Sequence, residues 1–282
     1  MRPAPVRHGG VPRRTVPRAS AALAIVAALA APGCALLAPA ASSSERESAT
    51  PASGAKVDFT VSAVSDYVFR GVSLSDRRPA IQGSADLSVG SAPGLSANLG
   101  LWASSVRFDT DTELPRNAAT GATSRLAVRR EAGIYGGIGG ALAAGWRWGA
   151  QLSYYRYPGF GSLDWTEHGL SLSRDFATVS GRPAVEFSAT KFRSVFAPDS
   201  EGNYFGATAK LALAGDFTIA AQIGKTRFAD QLRGGNDYVD RSLTLSRSFA
   251  GFQVDMSHTR TNTEQFGTLG RPALLLGVSR TF

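Results

Sequence analysis

The chain has 282 residues, with 30 Lys and Arg against 22 Asp and Glu, and a single cysteine, Cys34. Five of the 30 basic residues, Arg2, Arg7, Arg13, Arg14 and Arg18, lie at the start ahead of any acidic residue; the rest of the chain is left with 25 basic and 22 acidic side chains, a net charge of +3. That balance gives no argument for a nucleic-acid partner, and a chain that sheds Cys34 with its leader can form neither a disulfide nor a Cys-based metal site.

The basic start is followed by an apolar run over 21–31, small residues, and Ala38-Pro39-Ala40, which fits the A-x-A cleavage pattern. This reads as a secretory signal peptide over 1–40, cut after Ala40, because the apolar run is too short to span a bilayer. The rival reading, a lipidated Cys34, meets Pro32 where a small or apolar residue is expected. Residues 41–56 are small, polar and aperiodic, a flexible periplasmic lead-in. About 240 residues then remain after the leader, enough for one large domain over 57–282. No later stretch approaches the roughly 20 apolar residues of a spanning helix.

From Val57 onward the hydrophobic period is two. Val57, Phe59, Val61 and Ala63 alternate with Asp58, Thr60 and Ser62; Phe217, Ile219, Ala221 and Ile223 alternate with Thr218, Ala220 and Gln222. Helices would place apolar residues three and four apart. Twelve strands are predicted, over 57–71, 79–91, 95–108, 126–140, 145–157, 164–176, 183–196, 203–214, 216–229, 237–249, 251–262 and 271–282. Their connections alternate: short at 92–94, 142–144, 179–182, Gly215 and Ala250; long at 73–78, 109–125, 158–163, 197–202, 230–236 and 263–270. Short periplasmic turns alternating with long outer loops are how outer-membrane barrels are built. The expected fold is therefore an all-β, antiparallel, up-and-down transmembrane β-barrel of about twelve strands, exported to the bacterial outer membrane and surrounded by its lipid.

Aromatic residues gather near the strand ends. Phe59, Trp146, Trp148, Phe176, Phe217, Phe249, Phe252 and Phe282 fall near short turns; Tyr67, Phe69, Phe108, Tyr157, Trp165, Phe196, Tyr204, Phe228 and Tyr238 fall near long loops. Two interfacial girdles are expected from that placement. The terminal Phe282, on an alternating last strand, resembles the signal read by the barrel-assembly machinery.

The polar face predicts the lumen. It carries Asp58, Asp66, Asp86, Glu131, Glu167, Glu186, Asp240 and Asp255, with Arg70, Arg147 and Lys210. Asp66 and Arg70 are four residues apart on the first strand, about 13 Å, too far to pair with each other. Each is expected to find a partner on a neighbouring strand, either bracing the rim or forming a charged constriction. Gly136-Gly137 and Gly139-Gly140 suggest a bulge or a tight bend in the fourth strand. No Ser/His/Asp constellation stands out: His168 and His258 fall on the lipid-facing side, and Glu167 points away from His168, so neither a catalytic set nor a metal pair follows, and no cofactor is implied.

The block Ser65-Asp66-Tyr67-Val68-Phe69-Arg70-Gly71-Val72-Ser73-Leu74-Ser75-Asp76, followed by Pro79-Ala80-Ile81-Gln82-Gly83, resembles the opening motif of the TorF-type porins, also called the Gcw_chp family. Leu101-Trp102-Ala103-Ser104-Ser105-Val106-Arg107-Phe108, the run from Glu131 to Tyr135-Gly136-Gly137, and Tyr154-Tyr155-Arg156-Tyr157-Pro158-Gly159 resemble later motifs in the same order. Ser105 stands where the family usually has Asn, and Gly133 where it usually has Asp. The resemblance is strong over 57–176 and implies an outer-membrane location with substrates largely undefined. Beside it the residues support a passive channel for small hydrophilic solutes or ions. The alternative is a plugged or structural barrel whose outer loops bind a surface partner, with a barrel enzyme a distant third.

Overall fold

The computed structural model describes residues 54–91, 94–110, 126–176, 182–194, 201–229 and 236–282. The expected leader, most of the lead-in, and the outer part of the 109–125 loop lie outside them. The strands are β1 (Gly54–Val64), β2 (Val68–Phe69), β3 (Val72–Ser73), β4 (Ala80–Ser91), β5 (Leu95–Thr110), β6 (Leu126–Ala141), β7 (Trp146–Arg156), β8 (Trp165–Asp175), β9 (Arg182–Ser194), β10 (Gly202–Leu213), β11 (Phe217–Phe228), β12 (Tyr238–Phe249), β13 (Phe252–Thr261) and β14 (Ala273–Thr281). Twelve of them close a barrel in the order β1-β14-β13-β12-β11-β10-β9-β8-β7-β6-β5-β4, while β2 and β3 form a separate hairpin.

Closure is made by the first and last wall strands, which run antiparallel with Thr60 opposite Thr281 and Ser62 opposite Ser279. The seam continues one step further: Phe282 N–H donates to Phe59 O at 2.8 Å and Phe59 N–H to Phe282 O at 3.2 Å. A closed sheet leaves no row of unpaired backbone groups, which is what lets strands stand in hydrocarbon.

The period-two pattern sorts side chains by environment. Along β1, Asp58, Thr60 and Ser62 are buried inside, whereas Val57, Phe59 and Val61 are 53%, 55% and 55% exposed on the outside. The same inversion holds around the wall, where Ile81, Leu101, Leu152, Leu170, Leu243 and Leu274 are exposed. Such a belt is stable facing lipid and costly facing water. The turns at the chain-terminal end are tight: Ala250 and Gly251 both have positive φ, 51° and 78°, and join the paired Phe249 and Phe252. Two residues with positive φ match the twist of the flanking strands.

Three expectations need correction. The first predicted strand, 57–71, leaves the wall at Val64, and its last residues enter the lumen; at its other end β1 begins at Gly54, inside the expected lead-in. The glycine pairs of β6 cause no bulge: its ladder with β7 runs unbroken from Ala132 to Ala141, and the irregularity lies instead in β5, between Ser105 and Phe108. The aromatics near the long loops do not form an outer girdle. Tyr67, Phe69, Tyr157, Trp165, Tyr204, Phe228 and Tyr238 are all buried. Trp165 shares the lumen-facing parity of Glu167, and Tyr238 that of Asp240, so they fill the barrel rather than ring it. The side chain of Phe108 and all of Phe196 lie outside the described residues. The other girdle is found: Phe59, Phe249 and Phe282 are exposed on the outside, beside the short turns.

Candidate functional site: a strap across the lumen

The segment joining β1 to β4, residues 65–79, folds inward. Ser65 is its anchor: its N–H donates to Leu276 O at 2.8 Å, and Leu276 N–H donates to the Ser65 hydroxyl at 2.9 Å. Beyond it the chain makes a small hairpin, with Val68 opposite Ser73 and Phe69 opposite Val72. Its two-residue tip is Arg70-Gly71, with φ of 46° and 79°. This turn prefers Asn-Gly or Gly-Gly, so an arginine here sits in an unfavourable backbone region. Its side-chain contacts supply the compensation.

Asp66 holds the base of the hairpin. The hydroxyls of Ser73 and Ser75 donate to its Oδ1 at 2.6 and 2.8 Å. Tyr67 N–H donates to Ser75 Oγ at 2.8 Å, and Leu74 N–H to Tyr67 O at 2.7 Å. Burial raises the Asp66 carboxyl above its ordinary value, while the two serine hydroxyls and Arg77 pull it back. Asp66 therefore does not pair with a neighbouring wall strand, as its expected place on the first strand required.

Arg70 reaches the far wall. Its Nη2 donates to Glu167 Oε1 on β8, with the two side chains only 2% and 7% exposed. β8 lies five strands from β1 one way around the barrel and seven the other, so the strap crosses the lumen. The guanidinium also lies over the rings of Phe69 and Tyr204, 4.7 and 4.1 Å from their centroids, which favours a desolvated cation. Asp240, on β12, feels the same positive charge and accepts a 3.4 Å hydrogen bond from Tyr204. Gly71 touches the wall beside it: an added Cβ would stand 2.7 Å from Thr261 Cγ2 and 3.0 Å from Asp240 Cβ.

Other contacts seat the strap. Arg107 N–H, freed by the irregularity in β5, donates to Leu74 O at 2.8 Å. The Tyr67 ring meets Trp102 edge-on at 5.7 Å. Near the outer mouth, Arg77 donates to Thr268 O at 2.6 Å and Arg271 O at 2.5 Å. Tyr67, Phe69, Val72 and Leu74 belong to one buried cluster with Tyr155, Tyr157, Trp165, Tyr238 and Phe266. The half of the lumen near the long loops is thus packed like a protein core.

The other half is polar and reached by water along β7–β10. Gln151 and Glu186 face inward, yet both are exposed. The remaining candidate residues divide by environment. Asp86 accepts from Tyr135 Oη and, at 3.0 Å, from Ser84. Tyr135 lies over Gly100 on the adjacent strand, where any side chain would collide with its ring. Glu131 accepts from Tyr157 Oη at 2.9 Å. Arg147 pairs with Asp175 at 3.1 Å and Asp58 with Lys56 at 3.0 Å. Asp255 accepts from Gln253 at 3.0 Å. Lys210 faces the lumen on β10, with Glu186 on the neighbouring β9 two register steps away. So Asp66, Arg70, Glu167 and Asp240 come together around the strap, Glu131 sits beside it, and Asp86, Arg147, Glu186 and Lys210 are spread over the lower lumen. Sequence reasoning missed Ser73, Ser75 and Tyr204. The signal for the hairpin was Arg-Gly between two β-prone dipeptides.

Residues 48–282 match the family model described as "Bacterial protein of unknown function (Gcw_chp)". Among solved structures, the KdgM porin aligns with 81% of this chain and 99% of its own at 9% identity and a TM-score of 0.47. The NanC porin aligns with 80% and 99% at 10% identity and 0.47. An outer membrane channel from Pseudomonas putida F1 aligns with 81% and 96% at 12% identity and 0.45. No curated protein matches the sequence.

Proposed function

Given that this chain belongs to the Gcw_chp family, whose description assigns no activity, we propose that it is an outer-membrane channel for small hydrophilic solutes or ions, closed at rest by the strap 65–79 and opened when the strap leaves the lumen. The observation that carries the reading is the division of the lumen. A polar, water-reached half ends against a packed region in which Tyr67, Phe69, Val72 and Leu74 of the strap meet Tyr155, Tyr157, Trp165, Tyr238 and Phe266 of the walls and neighbouring loops. A barrel that needed only stability could fill its interior from its walls. Here part of the filling, Tyr67, Phe69, Val72 and Leu74, comes from one loop whose tip carries the buried ion pair Arg70–Glu167. A pair of this kind ties seating of the tip to both partners, because removing either by mutation leaves the other charge buried and unpaired in the closed state.

The lower lumen also suggests a preference. Once Lys56–Asp58 and Arg147–Asp175 are set aside as pairs, Asp86, Glu186 and Asp255 face Lys210. That balance favours cations weakly, as charged linings do in other pores.

A permanently closed barrel that presents its loops to a surface partner is the competing reading, and the burial of Phe69, Val72 and Leu74, each at most 2% exposed, favours it. Liposome swelling separates the two. Wild-type protein is expected to pass small sugars slowly, and Arg70→Ala to pass them at least tenfold faster. If neither Arg70→Ala nor removal of the strap admits any solute, the barrel is structural and the channel reading fails.

A further inference from the structure

The outside of β11–β13 carries a group of cations that a channel does not use. Arg241 and Arg260 stand directly opposite one another on the β12–β13 ladder. Both share the outward parity of Leu243 and Met256, and both are exposed. Lys225 and Arg227 on β11 also point outward and are exposed; Lys225 is opposite Val239, one outward-facing position beyond the Ile223–Arg241 pair. Among the described residues, none of the four side chains makes a hydrogen bond, ion pair or ring contact.

Two like charges directly opposite, with Cβ atoms about 5 Å apart, destabilise an antiparallel pair. Neighbouring carboxylates would relieve them, but every strand carboxylate whose side chain is described takes the lumen-facing parity. Immediately below the cations, apart from the exposed His258 on β13, the wall turns apolar, with Ile223, Leu243, Leu274 and Met256 exposed. The group therefore sits on the rim of the hydrocarbon belt, at the end bearing the long loops. The opposite rim treats its outward arginines differently. There Arg174 lies over Trp146 and Phe176 at 5.8 and 4.8 Å, Arg247 over Phe217 and Phe249 at 4.9 and 5.9 Å, and Arg280 over Phe252 and Phe282 at 5.1 and 4.9 Å. All three belong to a repeated Ser-Arg-x-Phe sequence, at 173–176, 246–249 and 279–282. These outward arginines near the short turns lie over the protein's own rings; Arg227, Arg241 and Arg260, near the long loops, do not.

We propose that Lys225, Arg227, Arg241 and Arg260 bind the headgroup phosphates of a phosphorylated glycolipid of the lipid A type in the outer leaflet, whose acyl chains lie on the apolar wall below. Guanidinium forks match phosphate oxygens in pairs, and two facing forks suit one dianionic group better than either suits a lone counterion. The apolar surface directly beneath is what distinguishes a lipid from a free anion. The inference rests on the long loops facing outward and is independent of whether the barrel conducts.

The test uses the full-length protein folded in detergent micelles, with heat-modifiable gel mobility as the check on folding. Bisphosphorylated lipid A, the same lipid dephosphorylated, and inorganic pyrophosphate are each titrated, with native mass spectrometry and the unfolding midpoint as readouts. Bisphosphorylated lipid A is expected to bind at least tenfold more tightly than the other two. R241Q/R260Q is expected to lose at least tenfold of that affinity, whereas R247Q at the opposite rim keeps it. In the absence of lipid, R260Q alone should unfold at a higher temperature than wild type, since it removes the repulsion. If R241Q/R260Q does not fold, R241K/R260K takes its place, and a several-fold loss is expected because charge is kept and the fork is not. Undiminished binding in the folded double variant overturns the proposal. So does an equal loss in R247Q, which would mark a general charge effect, or pyrophosphate binding as tight as the lipid's, which would mark a free-anion site.

Discussion

Arg70, at the tip of a hairpin that starts from β1, forms its ion pair with Glu167 on β8, nearly across the barrel. A loop whose two roots are adjacent strands is thereby tied to a wall it does not neighbour. Breaking the tie should act on the strap without unmaking the barrel, because the wall ladders do not pass through either side chain.

The first prediction concerns that tie. Arg70→Ala or Glu167→Ala should weaken closure by about 3–5 kcal/mol, because each leaves a buried charge alone, so the closed-to-open ratio falls by roughly two to four orders of magnitude. Arg70→Met combined with Glu167→Met, which removes both charges and keeps volume, should stay largely closed. Conductance in planar bilayers reads the difference. Equal conductance in the single and double variants would show that an unpaired buried charge is not what releases the strap.

Gly71 gives a steric version of the same test. A methyl group there meets Thr261 Cγ2 at 2.7 Å and must also adopt φ of 79°. Gly71→Ala is expected to destabilise the seated strap by about 1–3 kcal/mol and to raise proteolytic cleavage within 65–79. Unchanged cleavage would mean that the tip is not seated against β12–β13.

Asp66 makes closure depend on pH. In the seated strap, burial lifts its carboxyl above the ordinary 3.8; released into water, the carboxyl returns to that value. The closed state therefore binds the proton more tightly, and the ionised form opposes closure at neutral pH. That opposition fades as pH falls through the raised value and is gone below 3.8. Other lumen carboxylates titrate too, so the comparison is with Asp66→Asn, which keeps the oxygen acceptor for Ser73 and Ser75. On acidification, the closed fraction of wild type should rise relative to that of Asp66→Asn. A ratio that stays flat with pH would remove Asp66 from the account.

The lower lumen predicts weak cation selectivity in any conducting form. Reversal potentials of Arg70→Ala should favour the cation, and Glu186→Gln, on the water-reached side, should reduce that preference. Anion selectivity would mean that Lys210 and Arg147, rather than the carboxylates, face the permeating ion.

Much of the barrel was legible in the sequence, because period-two alternation depends only on which residues meet hydrocarbon. Val57, Phe59 and Val61 against Asp58, Thr60 and Ser62 suffice to assign both faces of β1. The strap was not legible for the same reason. A hairpin standing inside a lumen alternates much as a wall strand does, so 65–71 read as a continuation of β1. The clue was Val64, an apolar residue on the polar face just before the chain turned in. For Trp165 and Tyr238, nearness to a strand end points to a girdle, whereas parity points to the lumen. Parity puts each beside a buried carboxylate, Glu167 and Asp240, and parity was right. Long-range partners such as Arg70 and Glu167, 97 residues apart, depend on how far the strap reaches, which no local pattern encodes.

Single-channel recording of a variant in which a short Gly-Ser connection replaces residues 66–78 tests the central claim most directly. Wild type should be mostly silent with rare openings, and the strapless barrel should conduct continuously with the same weak cation preference. A strapless barrel that folds, shown by heat-modifiable mobility, and still passes no current would contradict the account.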